Sequence, residues 1–241
     1  MTEIKLEERI AVALAKLILD PSAPPARHIA VGAASPMPAA ACWLVKKQGN
    51  PVRLSLLHKR SGNPFTEGTR ELFDLTGQGR IDLFFLGGGQ IDGSANLNLV
   101  GTGEWPGMGV RFPGSFGSAF MYFMTPRTIL FREEHTPRVF VEKVDNISAP
   151  GVSPPGVFRR GTAQALVTGR CVFRFHPDRA RFSLESVREA TGFTFDVTGD
   201  VPFTPDPTAE ELALLRGPIC DEMMETYPEF CARVFGRKQA A

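Results

Sequence analysis

Two stretches of the chain concentrate residue types that can do chemistry. One is Gly87-Gly88-Gly89-Gln90-Ile91-Asp92, which follows the largely apolar stretch Ile81 to Leu86. Glycines at the carboxyl end of a strand allow a tight turn and let backbone N–H groups come close to a ligand. Such a loop can hold a phosphate or a developing oxyanion; it can equally be a tight turn with no ligand. No Lys-Ser/Thr pair follows the glycines, so this is not a Walker A loop. The GxGxxG spacing of dinucleotide-binding loops is also missing. The other stretch is Leu57-His58-Lys59-Arg60-Ser61-Gly62, an imidazole, two cations and a hydroxyl in six residues. Arg111, in Arg111-Phe112-Pro113-Gly114-Ser115, is a further candidate. It could pair with a carboxylate or phosphate, or form a surface salt bridge.

The remaining sequence limits what those residues can serve. The formal net charge is +1 and the 27 basic residues are dispersed, which argues against a dedicated nucleic-acid binder. Cys42, Cys171, Cys220 and Cys231 include no CxxC pair, and His28, His58, His135 and His176 include no HxxxH pair. No metal ligand set is expected, and the thiols read as reduced and buried or incidental. Residues 1–9 lack the apolar segment of a secretory leader, and no apolar run is long enough to span a bilayer. The expected location is cytoplasmic.

Strands and helices must position these residues. Ile4, Ile10, Leu14, Leu17 and Ile18 predict an amphipathic helix over 3–19. Strands are expected over 28–32, 52–57, 81–86, 129–131, 138–143 and 172–175. A small-residue helix is expected over 39–45, and further helices over 186–191 and 208–216. The strand at 81–86, apolar except for Asp82, is what a sheet buried on both faces requires. The alternation predicts α/β, an open three-layer α/β/α sheet in a single domain over 1–241, frayed from about 237. The Gly- and Pro-rich stretch 148–156 is the only plausible place to divide it. Phe112, Phe116, Phe120, Tyr122 and Phe123 could line an apolar pocket or pack in the core.

Taken together, these blocks resemble the β subunit of family I coenzyme A transferases, in the glutaconate CoA-transferase-like branch. The resembling segments are residues 84–92, Asn96-Leu97-Asn98, residues 111–115, residues 138–145 and Ser148-Ala149-Pro150-Gly151. Their order and spacing agree across about residues 5–215, and residues 186–196 also look familial. The resemblance implies an open α/β/α fold of the Rossmann-like type. It implies a partner α subunit, commonly in an α2β2 assembly, and an acyl-CoA thioester as substrate. In that family a glutamate attacks the thioester, forming an acyl anhydride and then a glutamyl-CoA thioester, while backbone amides near glycine-rich loops stabilise the oxyanion. The resemblance thus implies coenzyme A contacts at Gly87, Gly88, Gly89 and Gln90.

The family signature around that glutamate runs Leu-His/Gln-Ser-Glu-Asn-Gly. Leu57, His58 and Gly62 fit it. Lys59, Arg60 and Ser61 do not, and Arg60 takes the glutamate's place. Arginine keeps its charge and cannot form an acyl intermediate. The nearest acids in sequence are Glu67 and Glu71, beyond the turn. The family also includes hydrolases of steroid ring catabolism whose β subunits lack this glutamate; there the α subunit supplies the carboxylate and a C–C bond of a cyclic oxo-acyl-CoA is cleaved. By that logic Arg60 or Lys59 binds a substrate carboxylate or polarises a carbonyl, with Ser61 and Arg111 as further substrate contacts. His58 acts as acid or base, or is a structural hydrogen bond beside the turn. The expectation is a β-type subunit acting on an acyl-CoA by CoA transfer or by hydrolysis. The alternatives are a non-catalytic subunit that completes an α subunit's pocket, and, on fold analogy alone, a sugar-phosphate isomerase or sensor.

Overall fold

The computed structural model describes residues 3–175, 180–181, 185–197 and 199–237. His176 and residues 238–241, within the tail expected to fray, lie outside them. The chain forms two compact units. One comprises residues 1–75, 80–85 and 204–241; the other comprises residues 76–79 and 86–203. The 148–156 stretch, expected as the only plausible division, falls inside the second unit.

The first unit opens with helix α1 (Leu6–Ile18), whose first turn is tied by the Lys5 backbone N–H donating 2.9 Å to Glu8 Oε2. Strand β1 (His28–Val31) follows, then helix α2 (Pro36–Lys47) and strand β2 (Arg53–Leu56). Helix α3 (Thr69–Gly77) leads to strand β3 (Leu83–Leu86). β1 pairs in parallel with both β2 and β3, as helical crossovers require. All four residues of β1 and of β3 are buried. α1 packs on α2, and the buried Ala39, Ala40 and Ala41 let α2 approach its neighbours closely. His28 is buried on β1; its Nδ1 donates to Arg80 O at 2.9 Å, and its Nε2 accepts from Ser55 Oγ at 2.8 Å.

The second unit starts with two short antiparallel ladders. Strand β4 (Gln90–Ile91) pairs with β5 (Leu97–Asn98), and β6 (Gly101–Thr102) with β7 (Val110–Arg111). Helix α4 (Ser118–Met124) leads into strand β8 (Arg127–Arg132), parallel to β9 (Thr162–Thr168). β10 (Val172–Phe175) pairs antiparallel with β9 and with β11 (Ala180–Arg181), and helix α5 (Glu185–Glu189) follows. The strand expected over 138–143 does not form. Val139 and Phe140 are buried, but pairing stops at a single bridge from Phe140 to Ile91. β4 is only two residues long and offers nothing further to pair with.

A buried histidine sits in this unit's aromatic core. His135 Nδ1 lies 2.8 Å from Thr168 Oγ1 and Nε2 lies 2.9 Å from Thr191 Oγ1; Phe140 and Phe173 flank the ring. Burial, aided by the Arg170 cation, pushes its pKa from 6.5 down to about 4. Between those values the unfolded chain binds the proton and the folded one does not, so stability falls as pH drops through this window. The urea midpoint is expected to decline from pH 6.5 to about 4, and His135→Gln to flatten that decline. Equal slopes in the two proteins would assign the decline to other groups.

The chain then returns to the first unit. Helix α6 (Ala209–Leu214) begins with a reciprocal cap: Glu211 N donates to Thr208 Oγ1 at 3.2 Å, and Thr208 N to Glu211 Oε2 at 2.7 Å. A widened turn at Leu215–Ile219, kinked at Gly217 and Pro218, continues into helices α7 (Cys220–Met223) and α8 (Pro228–Phe235). Among the described residues no helix is long and apolar enough to cross a membrane.

Candidate functional site

The structure gathers His58, Lys59, Arg60 and Ser61 on one turn of the first unit. β2 ends at Leu56, whose carbonyl accepts from Lys59 N at 3.1 Å and closes the turn. Gly62 has φ +67°, a left-handed conformation that glycine adopts without strain. His58 and Arg60 are exposed, and neither side chain has a hydrogen-bond partner among the described residues.

The turn is held by two carboxylates that its own sequence does not reveal. Glu225 Oε1 accepts from Arg60 N at 2.8 Å and from Ser61 N at 2.9 Å, and the Ser61 hydroxyl donates to Oε2. The Ser61 hydroxyl and then the two amides hold the Glu225 carboxyl below its usual range. Glu222 accepts from Lys59 Nζ at 3.2 Å and from Lys47 Nζ at 3.0 Å. Burial works against its charge, but the two ammonium groups outweigh it and keep its pKa low. Lys59 Nζ also lies 5.1 Å from the centroid of the Trp43 ring. Of the turn's two cations, Lys59 is therefore engaged and Arg60 is uncommitted. The one sequence signal for this arrangement is the acidic spacing Asp221, Glu222, Glu225 in the C-terminal segment, 165 residues from the turn.

The second unit carries Gly87, Gly88, Gly89, Gln90 and Arg111. None of the three glycines has a positive φ. Close approach is what requires glycine at two of them. A Cβ at Gly89 would lie 2.3 Å from the Phe112 ring, and one at Gly88 would lie 2.8 Å from Gln90 O. A bulky residue at 88 would thus disturb the fold as well as any ligand. Gln90 is buried, and its Oε1 accepts from Asn98 Nδ2 at 2.7 Å and from Asp145 N at 3.0 Å. Arg111 is exposed on β7; its guanidinium stacks 4.9 Å from the Trp105 centroid and forms no ion pair among the described residues. Tyr122 from the aromatic stretch is fully buried and donates to Ala95 O at 3.1 Å, whereas Phe116 is 81% exposed. Among the described residues no His, Cys, Asp and Glu cluster could hold a metal ion, and all four cysteines are free.

No protein-family profile matches the chain. Two curated relatives do. The B component of glutaconate CoA-transferase from Acidaminococcus fermentans is 31% identical over 145 residues, 53% of this chain and 54% of the relative. The B component of 3-oxoadipate CoA-transferase from Pseudomonas knackmussii is 30% identical over 157 residues, 57% of this chain and 58% of the relative. The matched region spans little more than half the length of either. Solved structures extend the likeness to most of the chain. Glutaconate CoA-transferase from Acidaminococcus fermentans superposes with a TM-score of 0.74 at 23% identity, over 90% of this chain and 95% of that one. The decarboxylase AibA/AibB also gives 0.74, at 22% identity, over 89% and 94%. The fold is α/β, that of CoA-transferase chains.

Proposed function

We propose that this chain is a β-type subunit of a heteromeric CoA-transferase-family enzyme acting on an acyl-CoA thioester. The observation that carries the proposal is the match to the B components of two curated CoA-transferases, supported by a shared fold over nine-tenths of the chain. In this reading an α-type subunit is the partner, in an α2β2 assembly, and coenzyme A enters as part of the substrate. Arg60 contacts a substrate carboxylate, because its guanidinium is the uncommitted cation of the turn. His58, exposed beside it, acts as acid or base. Lys59 and Ser61 complete the substrate-binding turn. In the second unit, residues 87–90 and Arg111 are the proposed contacts for the CoA ester.

No residue of the 57–62 turn carries a carboxylate, which favours hydrolysis or C–C cleavage over a covalent relay through this turn. The test is to incubate the complex with its α-type partner and a panel of acyl-CoAs, with and without carboxylate acceptors. Free CoA without acceptor is the expected result and defines a hydrolase. New CoA esters formed only with acceptor would define a transferase whose carboxylate lies outside this turn. Full turnover by the complex when this chain carries both His58→Ala and Arg60→Ala would leave a scaffold role and overturn the proposal.

A further inference from the structure

Glu225 bridges two segments of chain through the donors of the 57–62 turn. Two consecutive backbone amides converge on one of its oxygens at 2.8 and 2.9 Å, and a hydroxyl donates to the other. Those distances fall within the roughly 2.7–3.1 Å at which amide pairs hold an anionic oxygen. Successive N–H groups in a turn form a concavity selective for anions. We propose that the turn at Arg60 and Ser61 is a carboxylate-binding nest, occupied by Glu225, into which a ligand carboxylate enters by displacing that side chain.

Three observations make displacement a local event. Glu225 is exposed, so its carboxylate leaves for water without a desolvation cost. It lies between α7 and α8, so a side-chain rotation frees the nest while both helices stay in place. Lys59 stays paired with Glu222 and does not follow. The emptied nest would hold three donors with the Arg60 guanidinium on the same turn. That combination fits a ligand bearing two acidic groups better than a single carboxylate. The proposal deepens the functional reading in taking this carboxylate as the substrate's or acceptor's. Carboxylate binding itself stands or falls separately.

Binding of free glutarate to the full-length chain is the direct test, read from the amide resonances of Arg60 and Ser61. Glu225→Ala removes the internal competitor and is expected to tighten glutarate about tenfold. Adding Ser61→Ala should return most of that gain. Glu225→Gln, which keeps an oxygen acceptor but loses the charge, should fall between the two and serves as the test should the alanine variant not fold. Glutaryl-CoA against butyryl-CoA then separates the sources. A Glu225→Ala gain seen for glutaryl-CoA but not butyryl-CoA assigns the nest to the acyl group; a gain for free glutarate alone assigns it to the acceptor. Unchanged glutarate affinity in both Glu225 variants, or resonances of Arg60 and Ser61 that do not move, would overturn the proposal. Glutarate binding without turnover in the acyl-CoA panel would leave the nest standing and remove the enzymatic reading instead.

Discussion

Arg216→Met is expected to cost about 3 kcal/mol of folding stability, the low end for breaking a buried ion pair by removing one partner. The Glu8 side chain is fully buried on α1, and Arg216 reaches it from the widened turn after α6. Nε donates to Glu8 Oε1 at 2.6 Å and Nη2 donates to Oε2 at 2.8 Å, a two-point contact that lysine could not reproduce. Nη2 also donates to Glu3 O at 3.0 Å, so one guanidinium fixes both the start of α1 and the C-terminal segment. Methionine has a similar length but leaves a buried carboxylate with, among the described residues, only the Lys5 amide for company. Arg216 is itself a quarter exposed, which places the cost at the lower end of the range. Urea unfolding should show a lower midpoint at unchanged slope. Glu8→Gln combined with Arg216→Met should recover more than half of the loss, because the uncompensated charge and not the lost contact dominates it. A double variant as unstable as the single one would show instead that packing of the arginine stem carries the effect.

Local patterns made much of the fold legible. The apolar spacing of Ile10, Leu14, Leu17 and Ile18 gave α1, and the largely apolar stretch 81–86 gave β3, which forms over its unbroken part, Leu83–Leu86, as burial on both faces favours. Residues 138–143 read as a strand for the same reason and failed: burial of Val139 and Phe140 was real, but a strand also needs a partner, and pairing partners are set by topology. The glycines at 88 and 89 were read as allowing close approach to a ligand, or as a tight turn without one. That the approaching groups are Gln90 O and the Phe112 ring was not legible. The 57–62 turn was the most informative stretch of sequence, and its polar residues lie on one turn after β2. Its restraints were invisible, because the acidic spacing that supplies Glu222 and Glu225 lies in a distant segment and does not say which turn it meets. The carboxylate at the turn is brought back by folding and is neither of the sequence neighbours Glu67 and Glu71. Those two form a local cluster instead, with the amides of Thr66 and Glu67 donating to Glu71.

Arg60→Ala is expected to raise KM for an acyl-CoA with a free carboxylate about 10–100-fold while leaving kcat within a few-fold, as loss of a charge-assisted hydrogen bond to substrate would. The geometry separates this arginine from its neighbours. Lys59 is held by Glu222 and the Trp43 ring, and the Ser61 hydroxyl is donated to Glu225, whereas the Arg60 guanidinium is exposed. Its backbone N–H is fixed by Glu225, so truncating the side chain removes the cation without releasing the turn. An acyl-CoA with no second carboxylate should be affected little, and that comparison makes the result specific. Arg60→Lys should recover part of the affinity but not the two-point geometry. If kcat falls instead and KM holds, Arg60 polarises the reacting carbonyl, since an interaction made only in the transition state lowers kcat and kcat/KM together. Arg60→Glu sharpens the distinction further. It places a carboxylate at the position that the sequence resemblance aligns with the family's nucleophile, but that carboxylate would share the turn with Glu225, and repulsion between the two would weaken the contacts that fix the loop. Partial CoA-transfer activity in Arg60→Glu, increased by adding Glu225→Gln, would therefore show that the turn still presents residue 60 to the thioester and that charge on the C-terminal segment governs which chemistry it supports.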